Sequence, residues 1–151
     1  MPATRTPVDL DDCPAGADLL DSRDLAARLD ALRDERDRLE DAREEAASAA
    51  GSTDDYRDAT DELAAFLADY SAEITDLETL EGSGIPDWPH GETLIHERHF
   101  TDYCRDLLDD IGDLPRDLPS YIVIDWEATA DNLRADYTEF TYAGHTYLVR
   151  A

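Results

Sequence analysis

The feature that most restricts this chain is its charge: 38 Asp and Glu oppose 13 basic residues in 151, a formal net charge of −25, and every basic residue is Arg because Lys is absent. A field of that sign repels nucleic acid and anionic membrane and attracts a basic groove from a distance. A hydrophobic content of 42% nevertheless excludes a wholly disordered chain, so the apolar residues have to be gathered into stripes that a few elements can bury. Adaptation to high salt or a GC-rich coding bias would also raise Asp and remove Lys, and composition alone does not separate these from a functional charge. The length suits one ordinary domain or two small ones. Cys13 and Cys104 lie in unlike contexts, so no structural disulfide is expected and a reducing cytoplasm fits. No apolar run approaches membrane-spanning length, and MPATRTPVDLDDCPAG has no signal-peptide core, so a soluble cytoplasmic protein is expected.

Hydrophobic spacing divides the chain. Residues 1–20 read as a flexible acidic tail rich in Pro, Asp, Thr and Gly. Residues 21–82 read as a long, coiled-coil-like antiparallel helical hairpin. Its first helix is capped by Ser22 and runs to Ala50, where Gly51 stops it. Leu25, Leu29, Leu32 and Leu39 supply a thin seam shared with Arg36 and Arg43. The second helix opens with Asp54 and Asp55 at the positive end of its dipole. Its stronger face carries Leu63, Phe66, Leu67, Tyr70, Ile74 and Leu77, extended by Tyr56 and Leu80. Two helices joined by a short Gly-containing turn pack antiparallel, and the thin seam demands a further partner. Residues 83–91 form a linker, opened by Gly82-Ser83-Gly84-Ile85-Pro86, in which Trp88 pins the chain against a neighbour. Residues 92–151 form a small helix and β-hairpin domain. The expected fold is therefore α+β, mostly helical and elongated, with helix only in the first eighty residues.

The C-terminal part has the most distinctive order of residue types. Phe100, Tyr103, Cys104, Leu107, Leu108 and Ile111 fall on one helical face, ended by Gly112 and Pro115. Ile122, Val123 and Ile124 suit an extended, half-buried backbone, and Asp125 caps a helix from about Trp126 to Ala135. Trp126, Ala130 and Leu133 make its apolar stripe. The period then changes to two: Phe140 and Tyr142 share a face, as do Tyr147 and Val149, around an Ala143-Gly144 turn. Such a hairpin is marginal alone and has to pack on a helix.

From about Glu92 to Arg150 the chain resembles the C-terminal part of the ArdA antirestriction family. The matching features are HERHFTDYCRDLLDDIG after a short strand, the Pro-broken DLPRDLP, the I-D-W-E-A-x-A-x-x-L element at Ile124–Leu133, and the closing G-H-x-Y-x-x-R at Gly144–Arg150. They cover about two-fifths of the chain. The resemblance implies a non-enzymatic, dimeric mimic of B-form DNA, made by mobile elements and phages, that occupies the DNA-binding channel of type I restriction-modification enzymes. Family members usually begin with mixed strand and helix domains, from which the all-helical reading of the first eighty residues departs.

Charge distribution refines that expectation. In the first helix Arg23, Arg28, Arg33, Arg36, Arg38 and Arg43 intermix with acids at spacings suited to intrahelical ion pairs, a self-paired structural arm. From Asp54 to Glu81 only Arg57 opposes the acids, over roughly 42 Å of helix. One helix is still too sparse to imitate a duplex, which carries a charge about every 1.7 Å. The candidate mimic surface therefore takes Asp54, Asp55, Asp58, Asp61, Glu62, Asp69, Glu73, Asp76 and Glu78 together with Asp102, Asp106, Asp109, Asp110, Asp113, Asp117, Asp125, Glu127, Asp131, Asp136 and Glu139. Phe140, Tyr142, Tyr147 and Val149 are candidates for self-association into a homodimer.

No catalytic residue, metal or cofactor is expected. His96 and His99 stand at i, i+3 rather than the i, i+4 of H-E-x-x-H, and adding Cys104 gives an irregular set. There is no P-loop, no G-x-S-x-G and no dinucleotide fingerprint. The expected partner is a DNA-binding protein with a basic cleft, a type I restriction-modification enzyme first, with no direct binding to nucleic acid or membrane. Two alternatives stay open: an acidic helical module for protein interaction or oligomerisation, and a DNA mimic aimed at another defence or regulatory protein.

Overall fold

The computed structural model describes residues 16–48, 53–113 and 115–150. The fold is α+β and mostly helical. In order come β1 (Leu19–Asp21), α1 (Ser22–Ser48), α2 (Thr53–Glu81), β2 (Thr93–His96), a 3-10 turn over Glu97–His99, α3 (Phe100–Asp110), α4 (Trp126–Leu133), a second 3-10 turn over Arg134–Asp136, β3 (Tyr137–Tyr142) and β4 (His145–Arg150). The strands form one antiparallel sheet in the order β1-β2-β4-β3. Gly51, Cys13 and most of the expected tail lie outside the described residues.

Both faces of the sheet are covered. On one face Leu20, Leu94, Tyr142, Tyr147 and Val149 join Leu25, Leu29, Leu32, Leu77 and Leu80 of the helical hairpin. On the other, Ile95 and Leu148 join Phe100, Cys104 and Ala130 of α3 and α4. Side chains alternate across a strand, so the consecutive buried run Tyr147-Leu148-Val149 feeds two cores. The hairpin of β3 and β4 closes as the Ala143-Gly144 pair requires: both have positive φ, 49° and 81°, the type I′ geometry that matches strand twist.

Several expectations are corrected. The first eighty residues are not helix only, because Leu19–Asp21 pairs with β2 through Leu19↔Ile95, Leu20↔Leu94 and Asp21↔Thr93; a three-residue strand is too short to show a period. The tail boundary at residue 20 moves back accordingly. Ser22 does not cap α1. It ties the helix start to the linker instead, its N–H donating to the Glu92 carbonyl at 2.9 Å and its Oγ accepting from the Glu92 N–H at 2.6 Å. Asp21 takes the capping role, accepting from the Arg23 N–H at 2.8 Å, and the hydrogen bond from the Arg23 guanidinium, helped by this backbone bond, lowers its carboxyl pKa.

Trp88 pins residues 83–91 against a neighbour as expected, it and Ile85 being buried in the hairpin core. Tyr142, Tyr147 and Val149 are buried within the protomer and are not available as self-association contacts. Phe140 packs partly on the same core. Tyr56 is exposed, as is Ile111, which follows the end of α3. Residues 122–124 form no strand, having no neighbour to pair with. The end signals at Gly112 and Asp125 held. Gly112 has φ 77°, and the Asp113 N–H reaches the Leu108 carbonyl at 3.1 Å, a Schellman stop. Asp125 caps α4 through the Ala128 N–H at 3.0 Å.

A buried ion pair locks the hairpin. Arg28, 4% exposed, makes a two-pronged contact with Glu73, its Nη2 donating to Oε1 at 2.8 Å and its Nε to Oε2. Breaking a pair whose remaining charge stays buried is costly. Glu73→Ala is therefore expected to lower the unfolding free energy by about 2–4 kcal/mol in urea titration, with Arg28→Met costing less.

The residues before β1 are held by a second network. The Tyr147 hydroxyl donates to the Ala17 carbonyl at 2.8 Å and accepts from the Gly16 N–H at 3.1 Å. Beside it, His96 Nδ1 accepts from the Arg98 N–H at 3.1 Å, which places its proton on Nε2, 3.0 Å from His145 Nδ1. Burial pushes the His96 pKa below its usual 6.5, with the charges of Arg98 and His145 adding to the shift. The unfolded chain thus takes up this proton first. The neutral ring's contribution is full above pH 6.5 and is lost as pH falls toward the lower folded value. His96→Gln should destabilise the protein at about pH 7.5, and the gap from wild type should narrow by about pH 5.5, measured by urea unfolding at each pH.

Candidate functional site: the acidic surface

The structure splits the nominated carboxylates into two populations. Three of the six arginines of α1, Arg28, Arg33 and Arg38, reach across to α2, which corrects the self-paired arm in part. Besides Arg28 with Glu73, Arg33 Nη2 meets Glu78 at 2.9 Å and Glu81 at 3.1 Å, and Arg38 lies 3.9 Å from Glu62. Only Arg38 with Glu35 and Arg36 with Asp37 are intrahelical. All the α2 partners are Glu, whose longer side chain spans the gap. Glu62, Glu73 and Glu78 are therefore part of the hairpin's internal bonding. Glu139 is likewise held, by Arg134.

The rest are solvent-facing. Asp55, Asp58, Asp61, Asp69, Asp102, Asp106, Asp109, Asp110, Asp113, Asp117, Asp125, Glu127, Asp131 and Asp136 are exposed, and no ion pair among the described residues involves them. Asp76 is half-buried and Asp54 sits in the first turn of α2. Along α2, Asp55, Glu62, Asp69 and Asp76 recur every seven residues, one face with a step of about 10 Å. That row is far sparser than duplex phosphate. Along α3, Asp102, Asp106, Asp109 and Asp110 fall within about 12 Å, roughly one per 4 Å, close to the 3.4 Å charge spacing of a single DNA strand. The start of α2 repeats this spacing in Asp54, Asp58, Asp61 and Glu62, but Glu62 there faces Arg38, so the longest run of exposed acids outside the ion pairs of the described residues is α3 and its exit.

Asp102, Asp106 and Asp109 line a shallow groove of about 540 Å³ with His99 and Arg105. The Arg105 guanidinium lies 5.8 Å from the Trp126 ring centre, a cation–π contact that ties α3 to α4. His96, His99 and Cys104 are not assembled into one site. His96 is hydrogen-bonded to His145 beside Tyr147, whereas Cys104 is in the core on the opposite sheet face, where burial raises its thiol pKa. No group of three His, Cys, Asp or Glu able to hold a metal occurs among the described residues. No described helix is long and apolar enough to cross a membrane.

Asp54, Asp55, Asp102 and Glu127 sit in first turns, where the dipole favours them, but the acids at the end of α3 are unfavourable to the helix that carries them. None of α1 to α4 has a basic residue in its last turn, and Asp109 and Asp110 close α3, where the carbonyl end of the dipole disfavours negative charge. No protein-family model, curated protein or solved structure matches this chain.

Asp109→Asn with Asp110→Asn should raise stability by roughly 0.5–1 kcal/mol at low salt, because unpaired charge is removed from the wrong end of a dipole. Glu78→Gln should instead lower it by a few tenths, since Arg33 loses a partner. Thermal melting of the two variants checks the opposite signs.

Proposed function

We propose that the protein is a non-enzymatic DNA mimic that competes for the DNA-binding cleft of a type I restriction-modification enzyme. The observation that carries this reading is the concentration of exposed carboxylates outside any ion pair of the described residues from Asp102 to Asp113, set at near-strand spacing, with Asp109 and Asp110 against the dipole of their own helix. Acids needed only for folding would be paired, as Glu73 and Glu78 are. The target class comes from the resemblance of residues 92–150 to the ArdA family. In this mechanism the carboxylates displace the anions resident in a basic cleft, as phosphates do, and exclude DNA while bound. The α1–α2 hairpin favours a second reading for that part alone, a helical protein-interaction arm, because its glutamates are committed to arginines across the hairpin.

The test is competition. Purified protein is titrated into a type I restriction enzyme bound to labelled duplex at about 50 and 200 mM salt. Displacement that weakens at least about tenfold at the higher salt, and weakens again when Asp106, Asp109, Asp110 and Asp113 are changed together to Asn, is expected. Displacement indifferent to both salt and neutralisation, or none at low salt, rejects the mechanism at this target.

A further inference from the structure

Between α3 and α4 three consecutive apolar residues face solvent: Tyr121 is 83% exposed, Ile122 46% and Val123 88%. Single exposed apolar residues are ordinary, but a contiguous run is not. Nor is the run a loose end. The Ile122 N–H closes a turn onto the Pro119 carbonyl at 3.0 Å, which puts Tyr121 at the turn's corner. On the other side Asp125 is fixed as the cap of α4, accepting from the Ala128 N–H at 3.0 Å and, through its carbonyl, from the Thr129 hydroxyl at 2.8 Å. The backbone is tied on both sides of the exposed side chains, which lowers the ordering cost of a contact there.

What covers the run is restricted by charge. From residue 109 to 127 the acids are Asp109, Asp110, Asp113, Asp117, Asp125 and Glu127, all exposed, and Arg116 is the sole base. A second copy would bring the same acids against these, and nucleic acid or an anionic membrane would be repelled. A positively charged protein surface with an apolar hollow satisfies both the loop and its surroundings.

We infer that Tyr121–Val123 is an apolar anchor that inserts into a hollow in the basic surface of a partner protein. This rests on the proposed function and deepens it: the carboxylates draw the protein to the basic cleft, and the loop holds it there. The two contributions differ in salt dependence. Carboxylate contacts set the slope of affinity against salt, whereas burial of Tyr121 and Val123 adds a salt-insensitive factor.

The experiment uses the full chain, wild type beside Tyr121→Ser with Val123→Ser, in the same competition against duplex on a type I restriction enzyme across several salt concentrations. Both positions are exposed, so the variant should melt as wild type does. The expected result is about tenfold or more weaker displacement at every salt concentration, with an unchanged slope. Equal displacement by the variant overturns the anchor and leaves the mimic standing. Failure of the wild type to displace DNA overturns both. Sedimentation that shows a wild-type dimer lost in the variant also overturns the proposal, since the loop would then cover a second copy.

Discussion

Everything in this fold depends on burying β4 from both sides. Tyr147 and Val149 belong to the core of the α1–α2 hairpin, and Leu148 between them belongs to the core under α3 and α4. A long two-helix hairpin with a thin seam has too little apolar contact to stand alone, and a four-stranded sheet needs cover. Each supplies the other's missing surface. β1 extends the arrangement, pairing Leu20 with Leu94 over the hairpin core, and Ser22 with Glu92 joins the start of α1 to the approach of β2. The chain's acidity is tolerated because none of these contacts needs a carboxylate in the interior except Glu73, which has Arg28.

Glu and Asp do different work here, and side-chain length explains the division. The Arg residues of α1 that reach α2 find Glu62, Glu73, Glu78 and Glu81. A shorter Asp on the same faces would fall short of the guanidinium. Asp55, Asp58, Asp61 and Asp69 of α2 and the aspartates of α3 and α4 instead stand out in solvent, outside the ion pairs of the described residues. Paired surface charge adds little net field, whereas unpaired charge adds to it in full. The unpaired field is thus carried mainly by Asp, and a count of acidic residues along α2 overstates the net charge that helix exposes.

How far the sequence was legible follows the range of the interactions involved. The turn at Ala143-Gly144, the cap at Asp125, the stop at Gly112 and the two long helices are all set by residues a few positions apart, and all stand where spacing put them. The misread parts depend on distant partners. Leu19 and Leu20 become a strand only because β2 is there to pair with them. Tyr142, Tyr147 and Val149 carry the alternation of a half-exposed hairpin, yet they are buried because a helical hairpin from the other end of the chain lies over them. Arg28 looked like a member of a solvated helix face until Glu73, 45 residues away, removed it from water. For the acidic surface, residue type was legible but pairing was not. Ile122-Val123-Ile124 had the composition of a strand and no neighbour, and that mismatch is what leaves an apolar loop in solvent.

Charge and apolar surface would act at different stages of the proposed encounter. A field of −25 is felt about 8–10 Å out at physiological salt and raises the rate of productive approach. It does little to retain the complex once salt competes. Retention is governed by dissociation, which responds to desolvated contacts at short range. The two properties follow one another along the chain: exposed aspartates on α3, then the apolar Tyr121–Val123 run in the segment before α4. High-salt adaptation would account for the first property and not the second, because an exposed aromatic and β-branched run lowers solubility in concentrated salt. The loop is therefore the part of the structure that argues most directly for a macromolecular partner.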